Sequence, residues 1–119
     1  MESILTSIRS LLGPSETYTH FDNQIIMHIN SAFVRLRQLG IGPPEVFSIN
    51  DDSAIWSDFI GDKKEFNSVK TYIYLKVKLA FDPPTNSSLL ESMKEQIKEL
   101  EWTLREDAEF LDEEVESDA

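Results

Sequence analysis

A double proline divides the second half of the chain into two long amphipathic segments. Pro83 and Pro84 lack the backbone N–H that a continuous helix requires, and Pro83 disfavours helical geometry for the residue before it. One segment runs from Phe66 to Phe81, before the prolines, and the other runs from Ser88 to Phe110, after them. The sequence therefore predicts a hairpin of two long elements onto which the earlier residues pack.

The first of these segments fits two periodicities. Every second residue from Ile73 to Leu79 is apolar, as in a half-buried strand. However, the segment is much longer than an ordinary strand. Val69, Ile73 and Val77 also lie on one helical stripe, together with Phe66 and Ala80. The helical interpretation is therefore preferred.

The second segment has a clear helical repeat, with apolar residues at alternating intervals of three and four. Ser88 and Glu91 match a capping box at its start, and Glu101 is spaced to pair with Arg105. As a helix, residues 88–110 would form a rod roughly 35 Å long. The repeat consists of Leu90, Met93, Ile97, Leu100 and Leu104.

Two further helices are predicted in the first third of the chain. Apolar residues from Ile4 to Leu12 repeat at helical spacing, and Gly13 with the following proline ends that helix. A second helix begins near Phe21 or Asp22, with Asp22 as its cap, and ends at Gly40. The predicted fold class is therefore mainly α, a small helical bundle with a long C-terminal helix.

Between the second helix and the hairpin lies an insertion at about residues 43–61. Residues 46–49 and 54–56 are short apolar runs on either side of an Asn-Asp-Asp turn signal, which predicts a short β-hairpin. Trp56 and Phe59 are predicted to anchor this insertion on the helices.

The net charge of −11 is concentrated at the C-terminus. Residues 106–119 contain eight acidic residues and no Lys or Arg, whereas the other 14 acids and 11 bases nearly balance. The predicted organisation is therefore a helical domain at residues 1–105 and an acidic tail at residues 106–119. Such a tail is typically solvated and disordered, and it would order against a basic partner.

Sequence motifs for catalysis or metal binding are lacking. The chain has no cysteine, which excludes disulfides and thiolate metal sites. His20 and Asp22 lack further ligands at metal-site spacing, and His28 lies among apolar helical neighbours. The Gly-x-Gly at residues 40–42 follows a helix and lacks a phosphate-binding motif. We therefore predict no catalytic residue, no cofactor and no metal ion.

The N-terminal residues resemble neither a signal peptide nor a membrane span, which predicts a soluble protein made in the cytoplasm without a membrane partner. No basic stripe suited to DNA phosphates is present in the sequence either. An interaction protein is therefore the favoured class.

Several blocks resemble the head–tail connector (adaptor) proteins of long-tailed bacteriophages and prophages. They are YIYLKVKLAFDPPT at residues 72–85 and LLESMKEQIKELEW at 89–102, with residues 29–44 and 56–62 similar to the same family. The resemblance covers most of residues 2–105. It implies a mainly helical subunit that forms a ring, commonly of twelve copies, beneath the portal protein.

The resemblance also implies the partners and the location. The ring would extend the DNA channel and dock the next connector, a stopper or a tail-completion protein at the neck of the virion, after synthesis in the bacterial cytoplasm. DNA would only pass through, and an acidic tail would avoid retaining it, because each Lys or Arg contact to a phosphate adds affinity. The helix from Ser88 and the tail beyond Arg105 are the portal-facing candidates.

Five large apolar residues are the candidate contacts with partners or neighbouring subunits. Trp102 lies nearly opposite the Leu100 side of the helical stripe, which favours either a partner contact or packing on another helix of the chain. The candidates are Trp56, Phe59, Leu100, Trp102 and Phe110.

Two other classes of function remain open from the sequence. An acidic regulatory binding protein, an inhibitor or DNA mimic, would use the acidic tail to occupy a basic partner. An enzyme would use carboxylates such as Asp51 and Asp58.

Overall fold

The computed structural model describes the backbone of residues 2–13, 20–61 and 66–118, and the side chains of these residues except residue 66 and residues 109–118. Within these ranges the chain is mainly helical, which confirms the predicted fold class. The helices are α1 (Ile4–Leu12), α2 (Asp22–Gln38), α3 (Trp56–Ile60), α4 (Phe66–Phe81) and α5 (Ser87–Asp118).

Helix α4 is the centre of the bundle and packs against α1, α2 and α5. Its residues Val69, Ile73 and Val77 are fully buried, as the helical stripe predicted, and Tyr72 is buried beside them. The helical interpretation of this segment is confirmed. Because neighbours cover α4 on several sides, apolar residues appear around most of its circumference, and this imitates the alternation of a strand.

The boundaries of α1 and α2 follow local chemistry, with one correction. The Ser3 hydroxyl accepts a hydrogen bond from the Thr6 N–H at 3.3 Å and caps α1, and Gly13 ends that helix at φ 102°. Asp22 is the first residue of α2 rather than its cap. Its carboxylate instead forms an ion pair at 2.7 Å with Arg9, a buried residue of α1.

The predicted β-hairpin does not form in residues 41–61. Ile55 makes an isolated antiparallel bridge with Ser3, and Trp56 begins helix α3. Ile49 is held by the Asn30 side chain, which accepts from its N–H at 2.8 Å and donates to its carbonyl at 3.0 Å. Each predicted strand therefore pairs with a distant part of the chain, which satisfies its backbone without the other strand.

The aromatic residues of the insertion anchor it on the helices, as predicted. Phe59 stacks on Phe33 of α2 with ring centroids 4.6 Å apart, and Phe47 lies 5.2 Å from Phe59. The Trp56 indole N–H donates to the Ser7 hydroxyl at 3.0 Å in the core. These contacts close the insertion over α1 and α2.

Helix α5 begins one turn after the prolines and is longer than predicted. Asn86 caps the helix, because its side-chain oxygen accepts hydrogen bonds from the N–H groups of Ser88 at 2.8 Å and Leu89 at 3.1 Å. The capping box predicted from Ser88 and Glu91 is therefore not the cap. The helix continues through the acidic segment to Asp118, where an irregular tail was expected. The division into a domain and a tail at residue 105 remains a prediction.

Candidate protein-docking surface

Helix α5 packs on the bundle through buried apolar residues, and one of its carboxylates also receives hydrogen bonds from two other helices. Glu101 accepts from the Arg35 guanidinium of α2 at 3.0 Å and from the Tyr72 hydroxyl of α4 at 2.6 Å. The sequence had predicted a local pair between Glu101 and Arg105. The tertiary partners prevail because they approach the carboxylate where it is partly enclosed and its hydrogen bonds are stronger.

The protonation states of Glu101 and Tyr72 favour the hydrogen bond between them. Burial raises the pKa of Glu101, but the hydrogen bonds from Arg35 and Tyr72 outweigh it and leave the pKa below its ordinary value. Burial, followed by the Glu101 carboxylate, raises the pKa of the Tyr72 hydroxyl. At neutral pH the carboxylate is therefore charged and the tyrosine remains a neutral donor.

Glu101→Gln is expected to remove an acid-dependent part of the stability. Because the folded-state pKa of Glu101 is depressed, its contribution is complete above the unfolded-state value of about 4.3 and is lost as pH falls through the folded-state pKa. The variant should lose roughly 1 kcal/mol at pH 7 and show a weaker decline towards pH 3. Urea unfolding at several pH values measures both quantities.

The matched control is Glu95→Gln, which changes an exposed carboxylate on the same helix. It should alter the stability by less than about 0.5 kcal/mol, because exposed pairs contribute little. If Glu101→Gln and the wild type lost stability in parallel on acidification, the proposed role of this carboxylate would be wrong.

An open groove runs between α4 and α5, and an exposed tryptophan lies beside it. Trp102 is 67% exposed, an unusually large apolar surface to leave in water. Glu99, which lines the groove, lies one helical turn before Trp102 and so shares its side of α5. We call the groove and Trp102 together the α5 surface. The groove encloses about 370 Å³ and is lined by Thr71, Tyr74, Leu75, Gln96, Glu99, Leu100 and Thr103.

The structure separates the five candidate contact residues. Leu100 is half-buried and lines the groove, whereas Trp102 is exposed on α5 and is not one of the residues that line it. Trp56 and Phe59 are 0% and 4% exposed within the core, which leaves them no surface for a partner. The Phe110 side chain lies outside the described residues.

Sequence reasoning missed the α4 wall of the groove, formed by Thr71, Tyr74 and Leu75. No local signal marked these residues, because α4 is apolar on several sides. The anchoring role of Glu101 was also missed, since Arg35 is far away in the sequence.

The polar residues considered for catalysis or metal binding have local structural roles. Asp51 accepts from the Ser53 N–H and hydroxyl at 2.9 and 2.6 Å, and Asp58 accepts from the Ile55 N–H at 3.0 Å at the start of α3. His20 stacks edge-on against Phe21. Among the described residues, no three His, Asp or Glu side chains are grouped so as to hold a metal ion. The same part of the chain contains no helix long and apolar enough to cross a membrane.

These features define a small, mainly helical protein with an open groove between α4 and α5 and an exposed tryptophan on α5. The family model described as "Phage connector protein" matches residues 4–110, and the chain belongs to that family. This membership supports a structural head–tail connector role in a bacteriophage, with interactions among other head or tail proteins. No curated protein and no solved structure matches the chain significantly.

Proposed function

We propose that copies of this chain form a ring beneath the portal of a long-tailed phage, commonly of twelve copies. The ring extends the DNA channel and docks the next connector, a stopper or a tail-completion protein. The observation that carries the proposal is the family match over residues 4–110, joined to an exposed α5 surface whose residues are held in place by Glu101. In this role the protein performs no catalysis and belongs to the virion neck.

The α5 surface is the proposed contact with the portal or the tail-side protein. Its groove offers a mainly apolar cavity, and Trp102 adds a large aromatic side chain, the residue type most enriched among energetically dominant interface contacts. The nearby ion pair between Arg35 and Glu101 fixes α5 against the bundle, so that little ordering is needed on docking.

The charge distribution is compatible with a DNA channel. Eight acidic residues and no basic residue lie in residues 106–119, so this segment repels DNA phosphates instead of retaining them. DNA is therefore a passing molecule in this proposal and not a bound ligand.

Trp102→Ala is expected to impair the joining of heads and tails without unfolding the protein. Because Trp102 is exposed, its removal should change the free energy of unfolding by less than about 0.5 kcal/mol. The loss of an interface tryptophan should reduce joining at least about tenfold. The assay supplies the variant to a phage lacking the gene and counts tailed and tailless heads by electron microscopy.

Leu89→Ala is the control, because Leu89 is 61% exposed on the first turn of the same helix and lies outside the groove. It should restore tailed particles as the wild type does. Equal rescue by Trp102→Ala would remove the α5 surface from the proposed interface.

A further inference from the structure

A second groove lies between α2 and α4, and we propose that it binds the acidic C-terminal end of α5 from a second copy of this chain. Two adjoining concave surfaces share His28 and Ala80 and together form this groove, which we call the α2–α4 groove. Met27, 57% exposed, lies on its wall. The inference specifies a subunit interface for the ring proposed above and rests on that assembly.

The groove combines apolar walls with positive charge in a strongly acidic protein. Met27, Leu79 and Ala80 supply apolar surface, while Lys76 and His28 supply polar nitrogen groups. Lys76 has no ion-pair partner within 4 Å among the described residues. Asp82 at one end is neutralised by Lys78 at 2.8 Å. The groove therefore suits an acidic segment with interspersed apolar residues.

The C-terminal end of α5 has that composition. Residues 109–118, EFLDEEVESD, contain six acidic residues and no basic residue. In the sequence, the apolar repeat that includes Leu104 and Ala108, both buried, continues with Leu111 and Val115. An acidic helix with an apolar repeat is complementary to an apolar groove that carries a lysine.

The end of α5 cannot reach the groove of its own chain. Arg35 contacts Glu101, and an added Cβ at Gly40 would lie 3.2 Å from Ala108, so α5 and the last turns of α2 advance in the same direction. Continuing past Ala108, α5 leads away from Met27 and His28. Residues 87–118 contain neither Pro nor Gly, so the helix has no residue that would turn it back.

The occupant is therefore another copy, and the contact is head-to-tail. The groove and the end of α5 are different surfaces of the subunit. Each subunit therefore binds the α5 end of one neighbour in its groove, and its own α5 end binds in the groove of the next subunit. Contacts of this kind form a closed ring when the rotation between subunits closes.

The test is carbodiimide crosslinking of the full-length protein at concentrations where it self-associates. The reagent couples a Lys amine to an Asp or Glu carboxylate only when the two groups are in direct contact. Mixing ¹⁵N-labelled and unlabelled copies identifies crosslinks between chains by mass spectrometry. We expect Lys76 to couple to residues 109–118 of the other copy. Absence of self-association, coupling within one copy, or coupling of Lys76 to other acidic residues would overturn the inference.

Charge reversal provides an independent measurement. Lys76→Glu should weaken self-association at least tenfold in sedimentation equilibrium, and mixing it with a D112K/E113K/E116K variant should restore association. Lys94→Glu is the control, because Lys94 is an exposed residue on α5 outside the groove. If the Lys76→Glu variant self-associated normally and also joined heads to tails, the inferred subunit contact would be wrong and the connector function would stand.

Discussion

Replacing Trp56 by Ala is expected to lower the free energy of unfolding by about 3–5 kcal/mol, the range for removing a large aromatic side chain from a core. Trp56 is completely buried, and its indole N–H donates to the Ser7 hydroxyl, which in turn donates to the Ser3 carbonyl at 2.6 Å. The substitution leaves a cavity between α1 and the insertion and removes a buried donor. Because a domain of this size is stable by only about 5–15 kcal/mol, much of the variant would unfold under mild conditions.

Urea unfolding followed by circular dichroism measures this loss, with Trp102→Ala as the matched control. Both variants remove a tryptophan, but Trp102 is 67% exposed and its removal should cost less than about 0.5 kcal/mol. Equal losses for the two variants would contradict the assignment of Trp56 to the core.

Gly42→Ala is expected to destabilise the protein by about 2–4 kcal/mol, through backbone strain and overpacking together. Gly42 has φ +95°, where a side chain is disfavoured, and an added Cβ would lie 2.5 Å from Cζ of Phe59. The Phe59 ring is held between Phe33 and Phe47, so it cannot move aside without disturbing both. The predicted loss therefore exceeds what the φ angle alone would cause.

Gly13→Ala separates the two contributions, since Gly13 has φ +102° and an added Cβ there meets no atom of the described residues within 4 Å. It should lose only about 1–2 kcal/mol, the cost of placing a side chain in left-handed geometry. The two variants are compared by their urea midpoints. If Gly42→Ala and Gly13→Ala lost the same stability, the contact between the added Cβ and Phe59 would make no contribution to the loss.

The sequence predicted the four longer helices because their signals are local. The repeat in α5, the glycine that ends α1 and the double proline after α4 act within a few residues of themselves, so they are readable without the fold. The strand-like alternation in α4 was resolved correctly by its length.

Elements decided by distant partners were not predictable in the same way. Residues 46–49 have the composition of a strand, but the backbone of Ile49 is held by the side chain of Asn30 in α2. Ile55 forms an isolated β-bridge with Ser3, which is close to the N-terminus. The local sequence favoured pairing of these two segments in a hairpin, but each forms its backbone hydrogen bonds with a distant part of the chain instead.

The candidate contact residues show the same division. Trp102 lay off the apolar stripe of a clearly periodic helix, so its possible exposure could be recognised. Trp56 lay in a segment without periodicity, where the sequence does not distinguish a buried aromatic from an exposed one. Helix α5 could be predicted, but its groove required the position of α4.

The measurement that tests the central claim most directly is deletion of this gene from its phage or prophage, followed by electron microscopy of the induced lysate. A head–tail connector predicts separate heads and separate tails, with joined particles restored when the protein is supplied. Normal infectious virions without the protein would contradict the connector role and favour an acidic regulatory binding protein instead.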